Sequence, residues 1–221
     1  MNSSKNISGP SGGAEPRKRS RPGLEVKIWS DFVCPYCFLA EGQLKDATSG
    51  LAVRVDWMPF ELRPYPERTL RPEGNYLQTV WQRSVYPLAA QLGVDIRLPD
   101  VSPQPYSRLA HEGLLFAKEH GKAAEYVDAV FRAFFQCSLD IGDPGVLQSI
   151  AQRIGLQGEA FAAALRDGSY AAEHLASLAL ARQFGIRAVP AIMIGDDRLV
   201  GMSSAQRLRQ LFIQKAGPGT K

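Results

Sequence analysis

Two cysteines in the run Cys34-Pro35-Tyr36-Cys37 have the clearest chemical capacity in this 221-residue chain. Thiol–disulfide exchange needs a thiolate open enough to attack and a second thiol near enough to resolve the mixed disulfide. A CxxC at a helix start supplies both, because positions i and i+3 share one side of the first turn and the helix dipole favours an anion at the first sulfur. Pro35 suits that turn, where no N–H bond is lost. Cys34, at the open end of the helix, is therefore the expected nucleophile, and Cys37 the expected resolving thiol. The competing use of a CxxC is half a zinc site, which needs two more ligands in tetrahedral array. The chain has no second CxxC, and Cys137, His111, His120 and His174 are scattered through expected helices, so no metal is expected.

The elements that must position the pair are legible around it. Leu24 to Ser30 alternates Leu24, Val26 and Ile28 with Glu25 and Lys27, the period of a strand. Cys34 to Ala47 reads as a helix with Phe38, Leu39 and Leu44 toward a core. Ala52 to Phe60 alternates again, with Pro59 ending the strand. Strand, helix and strand in so short a span make a βαβ unit and hence a parallel pair.

The closing third completes a small core. Tyr170 to Phe184 is an expected helix carrying Leu175, Leu178 and Ala179, stopped by Gly185. Val189-Pro190 then opens a strand over Ala191 to Ile194, which a turn joins to a second strand over Arg198 to Val200. A terminal helix starts from Ser203 or Ser204, with Ala205, Leu208, Leu211 and Phe212 as its apolar face. Between the halves, Tyr76 to Leu92, Leu109 to His120, Tyr126 to Gln136, Pro144 to Ile154 and Glu159 to Asp167 all read as helices. Asp143 is the N-cap of the fourth, with Pro144 at its first position. The expected organisation is a core from residues 24–62 and 168–216, a helical insertion over 63–167, and a flexible C-terminus over 217–221.

Charge says little about partners. The segment 1–23 holds Lys5, Arg17, Lys18, Arg19 and Arg21 against Glu15, which accounts for the chain's whole excess of +4, and the remainder is formally neutral. This segment is rich in Ser, Gly and Pro and is expected to be a disordered basic tail, with no nucleic acid as partner. No apolar run approaches the roughly 20 residues that cross a bilayer, and no export signal is read, so neither membrane association nor secretion is expected. Three cysteines do not make a secreted disulfide framework, which favours a reducing, cytoplasmic setting.

Ser30-Asp31-Phe32-Val33-Cys34-Pro35-Tyr36-Cys37, Pro59-Phe60-Glu61-Leu62, Asp140-Ile141-Gly142-Asp143-Pro144 and Ala188-Val189-Pro190-Ala191 together resemble the DsbA-like family, particularly its FrnE-like cytoplasmic branch, over about residues 24–215. The resemblance implies an α/β fold with a thioredoxin-like core and an inserted helical subdomain. It gives Cys34 the attacking role, Cys37 the resolving role and Pro190 the place of a cis-proline facing the CxxC. Val189, Pro190, Pro35 and Tyr36 would then contact the substrate, a thiol- or disulfide-containing protein or small molecule. No cofactor is implied beyond the redox-active pair, with glutathione as a candidate redox partner. The Pro-Tyr dipeptide departs from the Pro-His of periplasmic oxidases and the Pro-Trp usual in this branch, so the direction of electron flow is left open.

Two rival functions are weighed against this one. Kappa-type glutathione transferases and hydroxychromene-carboxylate isomerases are similar at Asp31-Phe32 and Pro35-Tyr36, but carry serine where Cys34 and Cys37 stand. A non-catalytic binding module would use the insertion groove and need neither thiol. Cys137 is expected to be a buried, inert thiol. Asp31, at a strand end, is read as a cap before a proton-transfer group. Trp29, Trp57, Trp81, Phe131, Phe134 and Phe135 are read as core.

Overall fold

The computed structural model describes residues 23–216, so the basic tail, Gly23 apart, and the C-terminal segment expected from the sequence lie outside the described residues. Strand β1 (Leu24–Ser30), helix α1 (Pro35–Thr48) and strand β2 (Val53–Pro59) form the expected βαβ unit, with Val26 opposite Val55 and Ile28 opposite Trp57 in a parallel ladder. Strand β3 (Ala191–Ile194) adds antiparallel to the other side of β1, and β4 (Asp197–Val200) closes the hairpin. The resulting sheet has the order β2-β1-β3-β4. Gly195, at φ 59°, makes the turn that a side chain would strain.

Alternation along β1 sends Val26 and Ile28 to one face of the sheet and Trp29 to the other. The first face is covered by α1 and by α9 (Ala205–Ala216), whose Leu208 and Phe212 are buried. Ser204 caps α9, its hydroxyl accepting from the Arg207 N–H at 3.3 Å. The second face, with Trp29, Met58 and Ala191, is covered by α8 (Ala171–Gln183). Here the expected apolar face needs correction. Leu175 is 59% exposed, and His174 and Ala181 are the buried residues of α8, so the helix turns a different stripe inward.

Between β2 and α8 the described residues are helical or irregular. Tyr76 to Leu92 is one continuous helix in which a π-helical turn over Trp81–Val85 separates α2 (Asn75–Val80) from α3 (Tyr86–Leu92). Helices α4 (Arg108–Glu119), α5 (Ala123–Phe135), α6 (Pro144–Arg153) and α7 (Gly158–Arg166) follow. Asp143 caps α6 as read, accepting from Gly145 N at 2.6 Å and Val146 N at 3.0 Å. An aromatic seam locks these helices to the start of α1: Phe32 packs on Phe131 and Tyr126, while Phe38 stacks on Phe135. Trp29, Trp57, Trp81, Phe131, Phe134 and Phe135 are all buried, as core residues should be.

Candidate active site

Helix α1 begins where the sequence places it. Cys34 is the N-cap in extended conformation, Pro35 follows at the first helical position, and the Cys34 carbonyl accepts from the Cys37 N–H at 3.0 Å. The chain reaches this point through a turn in which the Cys34 N–H donates to the Asp31 carbonyl at 3.0 Å. The loop before β3 faces the pair. Its Val189–Pro190 peptide is cis, and the Val189 carbonyl lies 3.8 Å from the Cys34 sulfur.

The two sulfurs occupy different settings. Cys37 is 0% exposed, and its thiol is pushed well above the ordinary range by burial, with a further rise from the Cys34 side chain beside it. The Asp31 backbone and the Ser30 side chain pull the other way and do not prevail. Cys34 is itself only 4% exposed, a correction to its expected openness: the Val189 loop folds over the helix start, and access runs through a cavity.

That cavity, of about 260 Å³, is lined by Cys34, Pro35, Tyr36 and Val189, which brings four of the six expected site residues to one opening. Cys37 lies behind them and Pro190 is buried beneath. The far wall comes from the segment after β2 and from the insertion, including Leu62, Arg63, Tyr76 and Gln104. Among the described lining residues Arg63 is the single cation, and Asp31 the single acid.

Asp31 and two histidines form a cluster that the sequence reading did not assemble. The Asp31 side chain is buried, and its Oδ2 accepts from the Leu62 N–H at 2.7 Å, so its capping role is real but reaches beyond its own turn. His111 on α4 brings Nε2 to 3.6 Å from Asp31 Oδ1 and 3.0 Å from the Phe60 carbonyl. His174 on α8 stacks on His111 with ring centroids 5.7 Å apart, and its Nε2 meets Glu61 Oε1 at 2.5 Å. His120 stands apart, stacked on Phe116. Among the described residues no group of three His, Cys, Asp or Glu side chains is arranged to hold a metal ion.

Cys137, expected to be buried, also needs correction. It is exposed, because α5 ends at Phe135 and Ser138 takes a left-handed backbone at φ 52°, which turns the chain outward after the buried Phe134 and Phe135. The three thiols should therefore separate in a labelling experiment. Iodoacetamide added to the reduced native protein is expected to modify Cys137 and Cys34 and to leave Cys37 untouched until denaturant opens the core. Mass spectrometry of tryptic peptides reads the order; Cys37 labelled as fast as Cys137 would contradict the burial described.

Comparison with known proteins converges on one family. The family model described as a DSBA-like thioredoxin domain matches residues 25–212. The uncharacterised protein YwbO of Bacillus subtilis is 43% identical over 180 residues, 80% of this chain and 90% of that protein. A 2-hydroxychromene-2-carboxylate isomerase of Sphingobium xenophagum is 21% identical over 180 residues, 78% of this chain and 89% of its own. A crystal structure of a probable DsbA oxidoreductase from Streptomyces coelicolor superposes with a TM-score of 0.73 at 25% identity, over 90% of this chain and 92% of that one.

Proposed function

Because this chain belongs to the DSBA-like thioredoxin domain family, we propose that it is a thiol–disulfide oxidoreductase in which Cys34 exchanges with substrate and Cys37 resolves the mixed disulfide. The observation that carries this reading is the asymmetry of the pair: Cys34 reaches the cavity, and Cys37 sits behind it in the core.

The exchange runs in two balanced steps. The Cys34 thiolate attacks one sulfur of a substrate disulfide, forming a Cys34–substrate disulfide as the other sulfur leaves as a thiolate. Cys37 then loses its proton and attacks the Cys34 sulfur, releasing the second substrate thiol and leaving a Cys34–Cys37 disulfide. Reversal of both steps oxidises a dithiol and reduces the enzyme. The second step needs a proton acceptor, since burial holds Cys37 as a thiol. Asp31 is the candidate acceptor: its backbone contacts Cys37, its side chain is buried, and it lines the cavity into which the substrate thiolate leaves and takes up that proton.

Arg63 and Gln104, which line the same cavity as Cys34, suit a disulfide or thiol that carries a carboxylate, which supports glutathione as redox partner. No cofactor beyond the cysteine pair enters the reaction. Among the described residues no helix is long and apolar enough to cross a membrane. A cytoplasmic setting, where glutathione keeps such a pair cycling, is part of the proposal.

The test is equilibration in buffers of graded reduced and oxidised glutathione, followed by acid quenching and mass spectrometry. One two-electron couple confined to Cys34 and Cys37 is the expected result, with Cys137 outside it. A pair that stays as two thiols at every poise would overturn the proposal.

A further inference from the structure

Phe60, Glu61 and Leu62, which follow directly after β2, are each tied through a different polar group to a different buried partner. The Phe60 carbonyl meets His111 Nε2 at 3.0 Å, the Glu61 carboxylate meets His174 Nε2 at 2.5 Å, and the Leu62 N–H donates to Asp31 Oδ2 at 2.7 Å. The sheet ladder ends at Pro59, so the paired backbone no longer fixes the segment beyond the Phe60 N–H, which donates to the Ser30 carbonyl at 3.1 Å. The next stretch of chain is part of the wall of the cavity, where Leu62 and Arg63 line the same space as Cys34. None of the exchange steps uses either histidine.

The chemistry at His111 is specific. A carbonyl oxygen only accepts, so Nε2 carries the hydrogen. Nδ1 is then left buried without a partner, in a slot between the rings of Phe32 and His174. An imidazole with one orphaned nitrogen is a poor filler for an aromatic slot. A phenylalanine would pack there without that cost. What the imidazole adds is an N–H directed at the Phe60 carbonyl, with the Asp31 carboxylate 3.6 Å away.

Resting on the reading of Cys34 as nucleophile, we infer that His111 is a positioning residue for the exchange. From α4, in the insertion, it holds the 60–62 segment in place, and through that segment it sets the Leu62–Arg63 wall of the cavity that Cys34 lines. Its effect belongs to disulfides large enough to contact the wall, and not to the intrinsic reactivity of Cys34.

The test measures two rates on Cys34 in a Cys37→Ala background: mixed-disulfide formation with glutathione disulfide, and alkylation by iodoacetamide, which is too small to need the wall. In His111→Phe, which keeps the ring stack and removes the donor, the ratio of the first rate to the second is expected to fall by about tenfold or more, and His111→Gln, whose amide can donate from the same place, should recover most of it. An unchanged ratio in His111→Phe, or a His111→Gln protein as impaired as His111→Phe, overturns the inference. Cys34 inert to both reagents with His111 in place would instead defeat the exchange reading beneath it. A measurement on the unaltered chain guards against variants that fail to fold: nitrogen-15 NMR should find His111 as the Nε2–H tautomer, and an Nδ1–H tautomer would also overturn the inference.

Discussion

Replacing Cys34 with serine is expected to abolish disulfide exchange while leaving the fold intact. The substitution swaps one atom, and a hydroxyl can keep both polar contacts of the sulfur, the long one to the Val189 carbonyl at 3.8 Å and the one to the Cys37 thiol, so stability should stay within about 1 kcal/mol of the parent. Reactivity behaves differently. A serine hydroxyl does not ionise near neutral pH without a strong base beside it, and its oxygen forms no stable bond with a disulfide sulfur, so the first step has no substitute. Turnover of a disulfide peptide, coupled to reduction by glutathione, should fall to the rate seen without protein. This result also separates the rival functions. A binding module would keep its ligand affinity without either thiol. A glutathione-dependent isomerase of the kind that carries serine at this position would gain or keep activity. Exchange that persisted in Cys34→Ser would remove Cys34 from the mechanism.

The largest expected effect on stability lies at His174. Its side chain is fully buried and pairs with the Glu61 carboxylate, which is itself almost wholly buried. Removing one member of such a pair leaves the other without a partner in a medium that solvates it poorly, and the cost is typically about 3–5 kcal/mol. His174→Ala should therefore lower the urea midpoint by that equivalent, with the slope of the transition unchanged. Glu61→Gln, whose amide oxygen can still face His174, should cost much less. A loss below about 1 kcal/mol in His174→Ala is the value of a surface pair, and would mean that water reaches Glu61.

The contrast between these two sites explains what could be read in advance. Cys34 and Cys37 were legible because their relation is local: three residues of one helix, preceded by a strand whose alternation from Leu24 to Ser30 matches the observed β1. The Asp143 cap and the β3–β4 hairpin were legible for the same reason. The pairing of His111 with His174 is a tertiary event between α4 and α8, and no spacing along the chain encodes it. A trace was nonetheless present. On α8, His174 and Ala181 are buried with Leu178 half-buried between them, the three- and four-residue spacing of an inward stripe, whereas the reading built on Leu175 chose a neighbouring stripe because leucine outweighs histidine on any apolar scale. His111 lies at three- and four-residue spacing from Leu114 and Leu115, in a stretch of α4 that is buried on every side from Ala110 to Ala117. A histidine at apolar spacing on each of two helices was the signal. Cys137 differs from its expected burial for another reason: three buried aromatics precede it, but the helix ends before it and the left-handed Ser138 turns the chain out.

The central claim, that Cys34 attacks and Cys37 resolves, is tested most directly by trapping. With Cys37→Ala the mixed disulfide has no internal escape, so the protein recovered from cells after acid quenching should carry covalent adducts on Cys34, identified by mass spectrometry and released by dithiothreitol. Cys34→Ala should carry none at that position. Adducts on Cys34 in the first variant and their absence in the second are the predicted result; a Cys37→Ala protein that accumulates no adduct on Cys34, in cells or on exposure to glutathione disulfide, would contradict the account.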